Sequence, residues 1–297
     1  MTAPALAAAL GRAAADLEAE LGALLPAAEG ERARLAAAMR HAVLGGGKRL
    51  RGFLVLEGGR LTGAPASARR RVAAAIELLH AYSLVHDDLP AMDDATMRRG
   101  RPACHRAFDE ATALLAGDAL QALAFEVLAR EDWPAPAGVR LRLLRELAAA
   151  AGAAGMCGGQ MCDLEAQRRS LDEAGIREMQ ALKTGALIRF SCRAGAILAG
   201  AGERAIAALD DYGAALGLAF QISDDLLDLH GDAAETGKDV GRDAASGKAT
   251  LVALLGEAEA KRRLAALREE AGAALARLPV DAILLRALFE FVIARRA

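Results

Sequence analysis

Two short stretches of this chain concentrate carboxylates at the ends of apolar segments. The first, HDDLPAMDDATMRRGRP, places four aspartates within the eight residues from Asp87 to Asp94. Neighbouring carboxylates about 4 Å apart repel each other by roughly 4 kcal/mol at an effective dielectric near 20. The second, FQISDDLLDLHGD, contains Asp224, Asp225 and Asp228. A solvated helix end tolerates such charge, but two clusters, each preceded by apolar helix and followed by basic residues, favour a common cation site.

The spacing within each cluster predicts how its carboxylates converge. On a regular helix, residues four apart share a face, so Asp224 and Asp228 project together. Asp93 lies six residues after Asp87, and an unbroken helix would place it about 120° away around the axis. Because Pro90 breaks the helical register, we expect the helix to loosen around residues 89–92 and to return Asp93 to the side of Asp87. Carboxylate oxygens are the ligands that Mg²⁺ prefers, and Mg²⁺ keeps waters that can bridge to phosphate.

The elements that position these clusters are helical. Hydrophobic residues make up 54% of the 297 residues and aromatic residues only 3%, which favours helices rich in alanine and leucine over a large sheet. Periodicity and turn residues predict helices over 4–25, 31–44, 50–61, 67–89, 108–130, 137–163, 171–199, 204–230, 255–276 and 281–295. No shift in composition marks a boundary, so residues 1–297 are expected to form one all-α domain.

Charge and composition narrow the class of protein. The net charge of −2 gives no overall attraction for nucleic acid or for an acidic membrane. The N-terminal stretch lacks the cationic start of a signal peptide, and no strongly apolar run reaches the length of a membrane span, so we expect a soluble cytoplasmic protein. The cysteines show no CxxC pair and are expected to be reduced thiols; they are Cys104, Cys157, Cys162 and Cys192.

The segment 231–248, GDAAETGKDVGRDAASGK, follows the second aspartate cluster directly. It is polar and glycine-rich, and it contains Lys238, Arg242 and Lys248. A loop of this length inside a compact helical domain is typical of a lid or a disordered segment. Its lysines and arginine predict an anionic ligand beneath it.

Six motifs in this order resemble those of the trans-isoprenyl diphosphate synthases, especially the bacterial farnesyl diphosphate synthases. They are GGGKRLR, DDLPAMD, RRGRP, GGQMCDLEA, KTG and FQISDDLLD…GKD, and the match spans about residues 40–255. The resemblance implies a bundle of antiparallel helices around a deep central cavity, usually in a homodimer. It also implies a prenyltransferase that joins isopentenyl diphosphate head-to-tail to an allylic diphosphate, dimethylallyl or geranyl.

The resemblance assigns roles to the aspartates and to the residues near them. Three Mg²⁺ ions per active site are implied, with Asp87 and Asp93 binding from one side and Asp224 from the other. Further ligands or residues behind the ligands are implied at Asp88, Asp225 and Asp228. Contacts to the allylic diphosphate are implied at Arg98, Lys183 and Lys238.

The second substrate needs an anchor without metal, and the resemblance places it at Lys48, Arg51, His80 and Arg99. His80 alone on an apolar helix is more often a core histidine, but it lies two turns before Asp87 on nearly the same face. The oxygens of Thr184 and Gln221 match residues that face the carbocation. No protein base is required, because the pyrophosphate can take the final proton.

Tyr82 is a candidate for the residue that limits product length. It lies five residues before Asp87, about 7.5 Å deeper along the helix. In the family, a bulky residue there stops chain growth near fifteen carbons; otherwise Tyr82 is an ordinary core tyrosine. Three alternatives share the fold: a geranylgeranyl or longer-chain synthase, a terpene cyclase, which would leave the second diphosphate anchor unused, and a non-catalytic subunit, which would be expected to lack one aspartate cluster.

Overall fold

The computed structural model describes residues 2–166, 168, 171–230 and 250–294. Within them the chain is almost entirely helical, which confirms the all-α prediction. The first half contains α1 (Thr2–Leu24), α2 (Ala33–Val43), α3 (Leu50–Thr62), α4 (Ala66–Asp87), α5 (Cys104–Ala107) and α6 (Glu110–Ala129). A 3₁₀ turn, Gly30–Arg32, precedes α2, and a small hairpin of β1 (Met97–Arg98) and β2 (Arg101–Pro102) precedes α5.

The second half of the chain continues the helical pattern. It contains α7 (Ala137–Ala151), α8 (Met156–Ala166), α9 (Glu173–Gln180), α10 (Ala186–Leu198), α11 (Glu203–His230), α12 (Leu251–Leu255), α13 (Glu257–Leu275) and α14 (Ile283–Ile293). A five-residue π-helical turn, Ala181–Gly185, joins α9 to α10 without a gap. We call it the π turn.

Helix α4 is the centre of the bundle. All residues from Val72 to Leu79 on it are buried, and it packs against α1, α3, α6 and α10. One continuous hydrophobic cluster extends from Leu6 near the start of the chain to Val292 near its end. Because the surrounding helices cover α4 on every side along this stretch, its C-terminal end is held in a fixed place, and the first aspartate cluster begins there.

The predicted helices differ from the observed ones mainly at two breaks. The predicted helix 108–130 is confirmed as α6, which Asp109 caps by accepting the backbone N–H of Thr112. The predicted helix 137–163 breaks at residues 152–155, and the predicted helix 255–276 begins only after Gly256, whose φ is +80°.

Helix α6 is apolar enough to raise the question of a membrane span. It has 20 residues and a mean hydropathy of 1.4, and it is the one such helix in the part of the chain that the structure describes. Half of its apolar window is buried inside the bundle against α2 and α4, which is typical of a core helix. Its other face carries Leu114 and Leu115, which are 47% and 57% exposed.

The contact between α3 and α10 depends on glycine. A Cβ on Gly195 would lie 2.1 Å from the backbone nitrogen of Gly59, and one on Gly58 would lie 2.6 Å from the carbonyl oxygen of Cys192. Real side chains do not approach backbone atoms so closely, so the two helices meet only because these positions lack side chains. This close approach brings α10, and with it the π turn, against the centre of the bundle.

We expect Gly195→Ala to lower the free energy of unfolding by about 1–3 kcal/mol, because the added methyl group forces α3 and α10 apart. Urea-induced unfolding followed by circular dichroism measures the change. The matched control is Gly272→Ala in α13, where a Cβ meets nothing within 4 Å; there we expect a gain of roughly 0.4–1 kcal/mol. Equal stability changes in the two variants would contradict the close contact between the helices.

Candidate functional site

The first aspartate cluster forms where α4 ends. The helix stops at Asp87, and the backbone N–H of Asp93 donates to the carbonyl oxygen of Asp87 at 2.9 Å. Ala95 makes the equivalent bond to Asp88 at 3.1 Å, and Asp94 has a left-handed φ of +45°. The chain after Pro90 therefore folds back on the helix end, which confirms the predicted loosening and the return of Asp93 to Asp87.

Asp88 and Arg98 form an ion pair beside this helix end. The Arg98 Nε lies 3.0 and 3.1 Å from the two carboxylate oxygens, and its Nη2 also donates to Oδ1. The Asp88 side chain is only 3% exposed. This bidentate pair fixes the β hairpin that carries Arg98 to the end of α4.

Asp87 is the most strongly perturbed of these carboxyl groups. Burial raises the pKa of Asp87 to about 6, and the neighbouring Asp93 and Asp88 add to the increase. Lys183 and Arg98 oppose the shift without cancelling it. The protein thus holds a carboxylate in a place where its negative charge is poorly compensated.

Lys183 belongs to the π turn, and α8 fixes its position. Its Nζ donates to Asp163 Oδ2 at 2.6 Å, with both side chains at least two-thirds buried. A Cβ on Gly159 would lie 2.1 Å from the Lys183 backbone nitrogen, so α8 and the π turn are in close backbone contact. Asp163 is a site residue that sequence reasoning missed, although the motif GGQMCDLEA contains it. π turns occur frequently at functional sites.

The second aspartate cluster lies on the other side of the same turn. A Cβ on Gly217 of α11 would lie 3.1 Å from the Cα of Gly185, and the Nε2 of Gln180 donates to Asp225 Oδ2 at 3.4 Å. Gln180 directly precedes the π turn, and Lys183 lies within it. Since Lys183 faces Asp87, both clusters border one short segment of chain.

The remaining residues predicted for this region also lie at the π turn or on α11. Thr184 is half-buried within the turn, and Gln221 is half-buried on α11, one turn before Asp225. Asp224 is exposed and Asp228 is half-buried near the C-terminal end of α11. Lys238 and the predicted lid 231–248 lie outside the described residues.

The residues present suit a hard divalent cation. Among the described residues, no three histidine, cysteine or acidic side chains already stand in metal-ligand geometry. The donors are nevertheless all carboxylates, whose oxygens suit Mg²⁺, and the raised pKa of Asp87 indicates a buried carboxyl group whose charged form an added cation would stabilise.

A separate cationic site lies beside α4, one to two turns deeper than Asp87. Arg51 Nη1 donates to His80 Nε2 at 3.1 Å, so His80 accepts and is neutral. Burial lowers the pKa of His80 well below its usual value, and Arg51 and Arg99 lower it further. Burial also lowers the pKa of Arg51 to about 10, with Glu77 acting in the opposite direction. Arg51 and His80, both predicted for the second diphosphate anchor, are therefore in direct contact.

A buried carboxylate supports this anchor from behind, and sequence reasoning missed it. Glu77 is 2% exposed; its Oε1 accepts the backbone N–H of Gly52 at 2.8 Å, and its Oε2 lies 3.4 Å from Arg49 Nη1. Arg49 has a left-handed φ of +44° and also donates to Glu18 at 2.7 Å. Glu77 thus caps the N-terminus of α3, where Arg51 begins the cationic face. A single glutamate within an apolar helix gave no sequence signal for this role.

The glycine loop and the β hairpin complete the rim of the cationic site. Gly45, Gly46 and Gly47 all have φ above +100°, which opens a loop that a side chain would strain. Arg99 donates to the Gly46 carbonyl oxygen at 3.3 Å, and its own φ of +52° belongs to the tight turn with Gly100. Lys48 is exposed on this loop and its Nζ lies 5.6 Å from the ring centroid of Phe291.

Tyr82 lies one turn deeper than His86 on α4. It is 4% exposed, and its ring meets that of His86 edge-on at a centroid distance of 5.7 Å. Burial raises the pKa of its phenol well above the usual range. The side chain is therefore a buried neutral phenol on the helix whose end carries Asp87.

Comparison with known proteins gives a consistent set of relatives. A family model described as polyprenyl synthetase matches residues 32–277. The farnesyl diphosphate synthase of Escherichia coli (strain K12) is 47% identical over 262 residues, covering 86% of this chain and 88% of that protein. The farnesyl diphosphate synthase of Haemophilus influenzae is 45% identical over 271 residues, covering 91% of each.

Solved structures agree with these matches. The crystal structure of an FPP/GFPP synthase from Zymomonas mobilis superposes with a TM-score of 0.90 at 41% identity, covering 99% of this chain and 100% of that chain. A geranylgeranyl pyrophosphate synthetase from Pyrococcus horikoshii gives a TM-score of 0.86 at 32% identity, covering 97% and 98%.

We expect Asp87→Asn to stabilise the metal-free protein by up to about 3 kcal/mol at pH 7.5 and by almost nothing below pH 4. A pKa near 6 in the folded state exceeds the unfolded value, so the folded protein binds more protons and loses stability as pH rises from about 4 to about 6. Asparagine does not titrate, so the variant does not lose this part of its stability as pH rises.

Urea titrations in EDTA across this pH range measure the effect. The control is Asp16→Asn on the exposed face of α1, for which we expect a change within about 0.5 kcal/mol at every pH. A pH-independent difference between Asp87→Asn and the unsubstituted protein would show that burial does not perturb this carboxyl group.

Proposed function

The chain belongs to the polyprenyl synthetase family, and from that membership we propose that it is a prenyltransferase that makes farnesyl diphosphate. It joins isopentenyl diphosphate head-to-tail to dimethylallyl diphosphate and then to geranyl diphosphate. The observation that carries the proposal is that α4 carries two groups of charged side chains that can each bind a diphosphate. One is the aspartate cluster at Asp87, where metal ions can bridge to the diphosphate and Lys183 lies nearby; the other is the cationic site at Arg51 and His80.

The allylic diphosphate is assigned to the carboxylate-rich end. Mg²⁺, in three ions per site, would be held by Asp87 and Asp93 from one side and by Asp224 from the other, and it would supply the charge that lets pyrophosphate depart. Asp88, Asp225 and Asp228 support these ligands from behind or add to them.

Cationic side chains complete the allylic site. Lys183 is already oriented by Asp163, so its ammonium group can bind a phosphate oxygen with little loss of side-chain conformational entropy. Arg98 is oriented by Asp88 in the same way. Lys238 is assigned to the same diphosphate by the resemblance alone.

Isopentenyl diphosphate is assigned to the cationic site. Arg51 and His80 form its buried part, and Lys48 and Arg99 lie at the glycine loop on its rim. Arginine suits this task because its planar fork donates two hydrogen bonds to one phosphate. Neutral His80 can donate through one ring nitrogen while the other accepts from Arg51. This site needs no metal, since the described carboxylates near it, Glu77 and Glu18, already accept hydrogen bonds from α3, Arg49 and the glycine loop.

The carbocation formed by loss of pyrophosphate lies between the two sites. The oxygens of Thr184 and Gln221 are assigned to face it, and their half-buried positions at the π turn and on α11 support that role. The double bond of isopentenyl diphosphate then attacks the cation, a new carbon–carbon bond forms, and a proton leaves to the pyrophosphate.

Tyr82 is assigned as the floor that stops growth at fifteen carbons. Its buried ring, five residues before Asp87, supports this role. Geranylgeranyl or longer products remain the second candidate, because the Pyrococcus horikoshii and Zymomonas mobilis structures carry names that include longer chains. A cyclase is disfavoured because the Arg51–His80 site would have no ligand, and a non-catalytic subunit because both aspartate clusters are present.

The proposal is tested by incubating the protein with radiolabelled isopentenyl diphosphate and dimethylallyl, geranyl or farnesyl diphosphate, with Mg²⁺ or with EDTA. We expect fifteen-carbon product from the first two primers, little extension of the third and no turnover in EDTA. Asp224→Asn should lower kcat by about 10²-fold or more, since one charge-stabilising group is lost; Asp281→Asn, on the exposed loop before α14, is the control. Absence of any condensation product would overturn the function, and a twenty-carbon product would favour the second candidate.

We also propose that residues 1–297 form one domain, that the domain pairs as a homodimer through the outer face of α6, and that it works as a soluble cytoplasmic enzyme. The continuous core from Leu6 to Val292 supports one domain. The exposed Leu114 and Leu115 support a second copy as the cover of α6, because neighbouring large apolar side chains exposed on a surface are typical of an interface.

We expect Leu115→Glu to convert a dimer into a monomer, because a carboxylate buried against apolar surface costs several kcal/mol. Size-exclusion chromatography with light scattering reports the mass. Leu141→Glu on α7, at a leucine 68% exposed, is the matched control and should keep the dimeric mass. A Leu115→Glu protein that stays dimeric would place the interface elsewhere.

A further inference from the structure

The glycine loop that carries Lys48 is bonded to the first helix of the chain. Glu18 of α1 accepts the backbone N–H of Gly45 at 2.9 Å through its Oε1, and its Oε2 lies 2.7 Å from Arg49 Nη2. One carboxylate thus contacts both ends of the segment 45–49. Helix α1 precedes residues 32–277, which the family model matches, so this contact comes from outside the matched segment.

Packing beneath the loop holds α1 against the start of α3. Leu17 is fully buried, and a Cβ on Gly52, in the first turn of α3, would lie 2.5 Å from the Cδ1 of Leu17. The two helices are therefore in close contact directly beside Glu18. Because of this contact, the Glu18 carboxylate stands at a fixed position relative to the loop that leads into α3.

Arg49 is the side chain through which Glu18 holds the end of the loop. Its guanidinium lies between two carboxylates, since Nη2 is 2.7 Å from Glu18 Oε2 and Nη1 is 3.4 Å from Glu77 Oε2. Nη2 also donates to the carbonyl oxygen of Val43 at 2.5 Å, and the side chain is 1% exposed. Burial alone would raise the pKa of Glu18, but the hydrogen bonds from Arg49 and Gly45 lower it below its usual value. The carboxylate is therefore ionised at neutral pH.

We propose that Glu18 is a positioning residue for the second diphosphate site, which orders the glycine loop before isopentenyl diphosphate binds. The inference rests on the proposed function and extends it to a residue of α1. Consecutive glycines have more conformational freedom than other residues, so an unbound loop would lose that freedom when it closes on a diphosphate. Because Glu18 holds Gly45 and Arg49, much of this entropy is already lost on folding, and the diphosphate binds more tightly.

The direction of the effect separates positioning from simple charge. Glu18 is a negative charge near a site for an anion, and its field also acts on Arg99. If only the charge mattered, its removal would tighten diphosphate binding. If Glu18 positions the loop, its replacement by glutamine weakens binding, because one of the two terminal atoms of glutamine is a donor and cannot accept from Arg49 or Gly45. The two accounts therefore predict opposite signs.

Steady-state kinetics of Glu18→Gln test the sign. We expect the KM for isopentenyl diphosphate to rise at least about tenfold, as follows from loss of a hydrogen bond to a charged group. The KM for the allylic primer and kcat should stay within about twofold, whereas a general defect of the fold would change all three constants. Glu18→Asp, which keeps the charge on a side chain one carbon shorter, should give a KM for isopentenyl diphosphate between those of Glu18→Gln and the unsubstituted protein.

The matched control is Glu20→Gln, the same substitution two residues further along α1. Glu20 Oε1 pairs with Arg71 Nε of α4 at 3.2 Å, and not with the glycine loop. Its KM for isopentenyl diphosphate should stay within about twofold of the unsubstituted value. Melting curves establish that each variant is folded.

Binding measured without turnover gives a second readout. Calorimetric titration with isopentenyl diphosphate in EDTA should give a Kd about tenfold higher for Glu18→Gln than for the unsubstituted protein or Glu20→Gln. Hydrogen exchange followed by mass spectrometry reports the loop itself. The Gly45 amide should be protected in the free unsubstituted protein and should exchange faster in Glu18→Gln, because it loses its ionised acceptor.

An unchanged or lowered KM for isopentenyl diphosphate in folded Glu18→Gln would overturn the inference. An unprotected Gly45 amide in the free unsubstituted protein would contradict it as well, and that measurement needs no variant. If the unsubstituted protein condenses the two substrates while Glu18→Gln keeps the same KM, this inference fails and the proposed function stands. If the unsubstituted protein forms no condensation product, the proposed function itself fails.

Discussion

The carboxylate of Asp87 is the group on which the arrangement of the site depends. It is withdrawn from water and lies beside two other aspartates, which raises its pKa to about 6. Its described cationic neighbours are both engaged elsewhere: Lys183 with Asp163 and Arg98 with Asp88. The charge at the end of α4 is therefore incompletely balanced by the protein. Divalent cations would restore the balance, so the same geometry that weakens the folded protein would favour a metal-bound substrate.

The π turn makes one site out of two distant parts of the chain. Glycines remove the side chains that would separate it from its neighbours, at Gly159 toward α8 and at Gly217 toward α11. With the turn held between these helices, Lys183 faces the first aspartate cluster while Gln180 contacts the second. Main-chain contact, rather than long flexible side chains, sets the spacing. Small changes in packing at these glycines would thus alter the distance between opposing carboxylates.

The sequence contained enough information for the fold class and for the break after α4. Pro90 and the six-residue spacing of Asp87 and Asp93 are local features, and local backbone rules predicted their outcome correctly. The sequence did not contain a local signal for the π turn or for the Lys183–Asp163 pair. These features arise when α8, α10 and α11 pack together, and no periodicity in one segment encodes contacts made by another. The break of the predicted helix 137–163 is instead local, because a Cβ on Gly155 would lie 2.1 Å from the carbonyl oxygen of Ala150 and only glycine allows this close turn.

The two proposed diphosphate sites also differ in how their charge is balanced, and this difference would direct each substrate to its own place. At Asp87 the surplus charge is negative, so metal ions would have to accompany an anionic ligand there. At Arg51 and Arg99 the surplus is positive: the pKa of each guanidinium is lowered, first by burial and also by neighbouring arginines, although Glu77 opposes the shift. A free diphosphate relieves that repulsion directly, whereas a diphosphate already covered by Mg²⁺ relieves it less. Opposite surplus charges, negative at the end of α4 and positive beside His80 two turns before it, would therefore separate a metal-bound diphosphate from a metal-free one, as a head-to-tail condensation requires.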